Sequence, residues 1–209
     1  DLDVATSLAW DDPLWETINH EDFQGHDLVV MGTHGASGFK EVFIGSNAEK
    51  VVRSSSIPVL SINKYSDPFD PKTIVFASNF FREVETAFDV INKVRKAFNV
   101  KVKLLKINTP GNFEATWYSE KIMNEFAEKI GLDNFSTHIY NDENVEKGIL
   151  NFCKSNEPDV VAIATHGRSG LLHLINGSIA ESVVNHYDMP VLSIRLKEVE
   201  SPTGVIFPY

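Results

Sequence analysis

The chain has 209 residues, of which 43% are hydrophobic, enough for one large core or two small ones. Its formal net charge of -10 repels phosphate backbones and anionic lipid, so nucleic acids and membrane surfaces are disfavoured as partners. The single cysteine, Cys153, excludes an intrachain disulfide, and no apolar run approaches the ~20 residues of a membrane span, so a cytoplasmic location is expected.

The first part of the chain, residues 1–63, is predicted to be the back half of an α/β unit. Its expected elements, in chain order, are a strand near residues 4–10, a helix over about residues 13–23, a strand ending at Gly32, a helix opened by Gly45 and Ser46, and a strand over residues 58–62. Residues 64–71 hold two prolines and no periodicity, which predicts a linker. Half a unit would leave a sheet edge bare, so we expect the sequence to begin inside a domain.

Residues 72–197 are predicted to form a complete unit, followed by a tail over residues 198–209. Strands are expected over residues 74–77, 100–107, 135–140, 160–164 and 191–194, and helices over residues 84–98, 115–130, 145–153 and 180–187. Because strand and helix alternate throughout, the pattern predicts a parallel sheet with right-handed crossovers and helices on both faces.

An internal repeat relates the two parts. Residues 27–38 recur as residues 159–170, and the strand at residues 58–62 recurs as residues 190–194. Roughly half of the aligned positions are identical, which is too many for chance over such a span. The sequence therefore predicts two copies of one unit, the first of them truncated.

A glycine loop follows the apolar strand of the first copy. Gly32 is separated by two residues from Gly35, and nine more residues precede Gly45 and Ser46. Ligands of open α/β sheets bind at the carboxyl ends of strands, and the free amides of a helix N-terminus favour an anion such as a phosphate. Glycines are also common in turns between a strand and a helix that bind no ligand. A ligand site and a purely structural turn therefore both stay open as interpretations.

The glycine spacing, the Thr-His-Gly-x-Ser-Gly segments and the Pro-Val-Leu-Ser-Ile strands resemble the universal stress protein family, over residues 27–62 and 72–194. The resemblance implies a flavodoxin-like, parallel, five-stranded open sheet of order 3-2-1-4-5 in a tandem protein. It implies a non-enzymatic stress-response module that binds ATP, with Mg²⁺ accompanying the nucleotide. It further implies that the units pair through their last strands, and it leaves a homodimer open.

The resemblance also assigns nucleotide-binding residues. They are Gly32, Gly35, Gly45 and Ser46 in the first copy, and Asn79, Ile107, Gly167, Gly177 and Ser178 in the second. The second copy departs from the family pattern at two positions. Ala164 replaces the first glycine and adds a methyl group, and Asn79 stands where nucleotide binders usually carry Asp, which removes a charge and adds a donor.

Other reactive residues have simpler interpretations. His34 and His166 are expected to form hydrogen bonds within their loops, Cys153 is expected to lie buried on a helical stripe, and Trp15 and Trp117 are expected to be packing residues. No catalytic residue is nominated, and no cluster has the spacing of metal ligands.

Two other functions remain open from the sequence. A slow ATP hydrolase or phosphoryl-transfer enzyme would need a metal-binding carboxylate and a group that positions water, and the sequence nominates neither. A nucleotide-free pairing scaffold would have an empty or collapsed crevice near Ala164.

Overall fold

The computed structural model describes residues 3–4, 6, 13–23, 25–32, 46–62, 69–80, 85–166 and 189–196. In these parts of the chain, strands and helices alternate through most of the sequence. The strands are β1 (Val29–Gly32), β2 (Val59–Ile62), β3 (Thr73–Ala77), β4 (Lys101–Asn108), β5 (Phe135–Asn141), β6 (Val160–His166) and β7 (Val191–Leu196). The helices are α1 (Leu14–Thr17), a 3-10 turn (Glu21–Phe23), α2 (Ser46–Ser54), α3 (Glu85–Phe98), α4 (Thr116–Lys129) and α5 (Val145–Asn156).

All seven strands belong to one sheet of order β1-β2-β7-β6-β3-β4-β5. Strands β3 to β7 are mutually parallel and, numbered from β3, lie in the order 5-4-1-2-3. This is the order 3-2-1-4-5 seen from the other edge, so the predicted flavodoxin-like topology is confirmed. Both parallel neighbours of β3 form continuous ladders with it, which makes β3 the central strand of the second copy.

The last strands of the two copies pair with each other. Strands β2 and β7 run antiparallel, and the pairs are Val59 with Ser193, Leu60 with Leu192, and Ser61 with Val191. Because residues 59–61 and 191–193 occupy matching positions of the repeat, this pairing is symmetric about Leu60 and Leu192. Strand β2 also pairs with β1, and β7 pairs with β6, so both edges of each strand are occupied.

Helices cover the two faces of the sheet with separate cores. On one face, α3 and α4 pack against β3, β4 and β6, with Phe76, Phe88 and Phe126 at the centre of the core. On the other face, α5 packs on β3, β4 and β6 through Ile149, Phe152 and Cys153. A smaller core lies under α1 and α2, where Val51 contacts Val59. Apolar residues at both alternating positions of β3 and β6 are typical of strands buried on both faces.

Several predicted boundaries differ from the structure. The helix expected over residues 13–23 breaks after Thr17, because the Asn19 side chain donates to the carbonyl of Trp15 at 2.8 Å and competes with the helical ladder. Residues 4 and 6, the described residues of the strand expected near residues 4–10, are not in a strand. Strand β6 continues past Ala164 to His166, since its pairing with β7 extends to Leu196; His166 is therefore a strand residue and not a loop residue.

The predictions for residues 180–187, for residues 198–209 and for most of the linker lie outside the described residues. The division into residues 1–63, 64–71, 72–197 and 198–209 stays a prediction. None of the helices in the described ranges is long and apolar enough to cross a membrane.

Asp159 ties together the starts of two neighbouring strands. One of its carboxylate oxygens accepts from the backbone amides of Lys72, at 2.9 Å, and Thr73, at 2.8 Å, and from the Thr73 hydroxyl at 3.0 Å. The matching residue of the first copy, Asp27, instead forms an ion pair with Lys93 of α3 at 2.5 Å. The same residue type at matching positions therefore has a structural role in one copy and an exposed surface contact in the other.

We predict that Asp159→Ala lowers the free energy of unfolding by about 1 kcal/mol, because two strand-end amides and a hydroxyl lose their acceptor. Asp27→Ala is the matched control and should have a smaller effect, since an exposed ion pair is screened by water. Urea unfolding of both variants measures the difference. Equal losses would show that the strand-end contacts of Asp159 add no stability.

Candidate functional site

Two of the predicted site residues, Asn79 and Ile107, lie at the carboxyl ends of the adjacent strands β3 and β4. The backbone amide of Ser78 donates to Leu105 at 3.1 Å, so the β3–β4 ladder continues one residue beyond β3. Asn79 follows the last residue of β3 by two positions, and Ile107 is the last but one residue of β4. The two residues therefore lie at one edge of the sheet, where open α/β folds bind ligands.

The predicted glycines are divided differently between the copies. Gly32 is the last residue of β1 and pairs with Ile62, and Ser46 is the first residue of α2. Strands β2, β7 and β6 separate β1 from β3, so Gly32 and Asn79 belong to different places in the sheet. Gly35, Gly45, Gly167, Gly177 and Ser178 lie outside the described residues.

Ala164 is part of the β6 ladder rather than of a loop. It pairs with Ile194 of β7 and is buried in the core under α3 and α4. Since β6 is the direct neighbour of β3, the segment that follows His166 begins one strand away from Asn79. The added methyl group of Ala164 therefore packs in the core between the sheet and the helices. Two residues separate it from the segment that is predicted to hold phosphate.

Ile107 is almost fully buried, with 7% of its surface exposed, and packs under α5. Gly148 of α5 makes this close approach feasible. A Cβ at position 148 would lie 2.6 Å from Ile107 Cγ2 and 3.3 Å from the Cβ of Asp142. Ile107 is thus first a packing residue, and only a small part of its surface could contact a ligand.

We predict that Gly148→Ala lowers the free energy of unfolding by about 1–2 kcal/mol, because overpacking against Ile107 outweighs the higher helix propensity of alanine. The double variant Gly148→Ala with Ile107→Val should recover only a small part of the loss, because valine removes Cδ1, which would lie 3.0 Å from the added Cβ, but keeps Cγ2. Gly111→Ala is the control, since a Cβ at that position meets nothing within 4 Å. Denaturant unfolding measures all three, and a Gly148→Ala variant more stable than the native protein would contradict the packing argument.

A buried ion pair lies at the end of β4, and no sequence motif predicted it. The Lys106 ammonium lies 2.5 Å from a carboxylate oxygen of Glu114, and 3% of the Lys106 side chain is exposed against 20% for Glu114. Asn108 donates to the Glu114 carbonyl at 3.1 Å, and the hydroxyl of Ser119 donates to the Glu114 carboxylate at 3.4 Å. These contacts fix the connection between β4 and α4. The only sequence signal was a lysine at a core-facing position of a buried strand.

We predict that Glu114→Ala destabilises the protein more than Lys106→Met. Removing the carboxylate leaves a buried ammonium without its partner, which costs about 3–5 kcal/mol. Removing the ammonium leaves a carboxylate that water can still reach, so the loss should be smaller. Urea unfolding of both variants and of the double variant tests this order. A larger loss of stability in Lys106→Met would show that the Glu114 carboxylate depends on the ion pair more than the Lys106 ammonium does.

The structure also shows the surroundings of the cysteine and of two tryptophans considered in the sequence analysis. Burial raises the pKa of the Cys153 thiol to about 12, so the thiol stays protonated and the predicted buried role is confirmed. Trp15 packs in the small core beside α2, with the Lys50 ammonium 3.8 Å from its ring centre. Trp117 is 69% exposed near the start of α4, so the packing interpretation was wrong for it. The described residues include no group of three or more His, Cys, Asp or Glu side chains that could hold a metal ion.

Comparison with known families agrees with this topology. The model of the Universal stress protein family matches residues 3–63 and 108–195, well over half of the chain. The chain belongs to the universal stress protein family. The match leaves out residues 64–107, which include β3, Asn79 and Ile107. For those residues, the position of β3 at the centre of the 3-2-1-4-5 order is the link to the family fold.

Two curated universal stress proteins illustrate the relationship. The Universal stress protein E homolog of Haemophilus influenzae is 24% identical over 221 aligned positions, which cover 93% of this chain and 71% of that protein. Universal stress protein YxiE of Bacillus subtilis is 40% identical over 61 residues, which cover 29% of this chain and 41% of that protein. A solved structure of a universal stress protein from Archaeoglobus fulgidus has a TM-score of 0.66 at 22% identity, over 88% of this chain and 66% of that one. The chain thus spans only part of the length of these relatives.

Proposed function

We propose that this universal stress protein is a non-enzymatic regulatory module that binds an adenine nucleotide, with ATP and its Mg²⁺ as the natural ligand. The observation that carries the proposal is the placement of Asn79 and Ile107 at the carboxyl ends of adjacent strands, with β6 on the other side of β3. The segment that follows β6 carries Gly167 and, further on, Gly177 and Ser178. A ligand at this edge would place its base near Ile107 and its phosphates near the glycines.

The chemistry of the edge favours a ligand held by amides. Asn79 carries a side-chain amide, a group whose acceptor and donors suit a ribose hydroxyl or the edge of a base. Lys106, the cation at the end of β4, is already paired with Glu114, so phosphate binding would depend on backbone amides. A chain of net charge -10 can still bind an anion in this way, because the donors act over a short range.

A regulatory role fits these residues better than a chemical step does. Phosphoryl transfer needs a carboxylate to hold a metal ion, and position 79 carries an amide in its place. Strand β6 lies between β3, next to the proposed ligand, and β7, which pairs with the first copy. Nucleotide occupancy could therefore stabilise the pairing of the two copies, provided that the ligand binds one state more tightly than the other.

The oligomeric state is also a proposal. Strands β2 and β7 are paired along both edges, so a homodimer would have to use surfaces other than the last strands. The four segments predicted from the sequence, with boundaries after residues 63, 71 and 197, are proposed as the units of this arrangement. The cytoplasmic location stays a prediction.

We predict that millimolar Mg·ATP raises the melting temperature of the protein, because a ligand that binds only the folded state stabilises it. Asn79→Ala should weaken binding about tenfold, the effect of one lost hydrogen bond. Asn124→Ala is the matched control, since that asparagine lies on the exposed face of α4 and donates to the Glu120 carbonyl. Thermal shift and equilibrium dialysis with ATP, AMP and GTP measure the affinities.

Three outcomes would contradict the proposal. No thermal shift at millimolar nucleotide would favour the nucleotide-free scaffold. Equal losses in Asn79→Ala and Asn124→Ala would remove Asn79 from the site. Steady release of phosphate from ATP by the purified protein, above the level of a heat-inactivated sample, would favour the enzyme instead.

A further inference from the structure

Phe80 has a backbone conformation that is rare for its residue type. Its φ is +61°, in the left-handed region. Among the described residues, the other non-glycine residues with positive φ are Asn99 and Glu157, which directly follow the ends of α3 and α5. A left-handed residue is common at a helix C-terminus. A bulky aromatic residue in the left-handed conformation just beyond a β-strand is a true outlier. Such strain persists only where the surrounding structure enforces it.

The aromatic core enforces this conformation. The Phe80 ring is buried under α3 and α4, with its centroid 5.3 Å from that of Phe126 and 5.9 Å from that of Phe76, both in edge-to-face geometry. Phe76, Phe88 and Phe126 also contact one another, so Phe80 joins a packed group of four rings. The Phe80 amide, in addition, donates to the Ser78 hydroxyl at 3.1 Å, which closes the turn.

This turn decides where Asn79 lies. Residues of β3 alternate between the two faces, since Ile74 and Phe76 belong to the core under α3 and α4, and Val75 and Ala77 belong to the core under α5. Phe80 returns to the side of Phe76. Asn79 is half-buried and lies directly before Phe80, so its position at the edge of the sheet depends on the conformation of this turn.

We propose that Phe80 is a positioning residue for the ligand site: its ring, fixed in the aromatic core, holds the left-handed turn that presents Asn79 to the nucleotide. The inference rests on the proposed function for its ligand. Glycine would adopt the same φ without strain, but it would leave the turn free to take other conformations. A buried aromatic side chain instead selects one conformation, so Asn79 is oriented before the ligand arrives.

Two substitutions of Phe80 and one control separate positioning from general stability. Phe80→Leu keeps apolar volume and loses the ring contacts, and Phe80→Gly relieves the strain and releases the turn. Phe88→Leu is the matched control, because Phe88 belongs to the same aromatic group but lies on α3, away from the turn. Phe80→Leu and Phe88→Leu should lower the melting temperature by similar amounts.

The affinity for Mg·ATP should separate the variants. Phe80→Leu should weaken binding about fivefold, as expected for a ligand hydrogen bond that is misaligned but not removed. Phe80→Gly should weaken it at least as much, although its backbone is no longer strained. Phe88→Leu should stay within about twofold of the native protein, since the position of Asn79 is unchanged. Equal affinity losses in Phe80→Leu and Phe88→Leu, or native affinity in Phe80→Gly, would overturn the proposal.

A measurement without ligand keeps the inference separate from the proposed function. The side-chain amide resonances of Asn79, assigned in a ¹H–¹⁵N spectrum by their loss in Asn79→Asp, should shift or broaden in both Phe80 variants and remain in place in Phe88→Leu. If the native protein binds no nucleotide, the proposed function fails, and this spectrum still decides whether Phe80 orients Asn79. Unchanged Asn79 resonances in Phe80→Gly would overturn the inference by themselves.

Discussion

The antiparallel pairing of β2 with β7 is the constraint on which the rest of the structure depends. It joins strands from both copies into one seven-stranded sheet and sets their relation by a symmetric register centred on Leu60 and Leu192. Because Leu60 and Leu192 face the same side, the core under α3 and α4 extends across the junction. The ion pair between Asp27 and Lys93 connects the copies a second time. The junction therefore combines main-chain hydrogen bonds, shared apolar burial and surface charge.

The same pairing places the proposed site next to the junction. Strand β6 has β7 on one side and β3 on the other, and its apolar residues enter both cores. Packed sheets transmit small displacements, because close-packed interiors accept few alternative arrangements. A ligand held at the ends of β3 and β6 would thus act on a strand that forms part of the link between the copies. The connection from the proposed site to the junction passes only through the main-chain ladders of β3, β6 and β7. A short connection of this kind is the simplest basis for regulation by a bound nucleotide.

The sequence predicted the sheet well because its information is periodic. Alternating apolar runs located β3 to β7, and the repeat showed that the last strands are equivalent. Features that depend on single side-chain contacts were not predictable. The break after Thr17 comes from the Asn19 side chain, and the pairing of Lys106 with Glu114 joins residues eight positions apart that no pattern connects. The left-handed backbone conformation of Phe80 could not be predicted either, since glycine is the residue that usually signals positive φ.

Matching residues of the two copies have different surroundings in the sheet. Val30 is 58% exposed, whereas the matching Ala162 is fully buried between β3 and β7 and beneath the helices of its own copy. Val30 belongs to β1, at the edge of the described sheet, whereas β6 has β7 and β3 as neighbours. Within the described residues, the first copy contributes Gly32 at a strand end, while the second contributes Asn79, Ile107 and a strand that contains Ala164 in place of the glycine. Within the described residues, the proposed site residue Asn79 is therefore in the copy with the imperfect glycine pattern, next to Phe80 of the buried aromatic core.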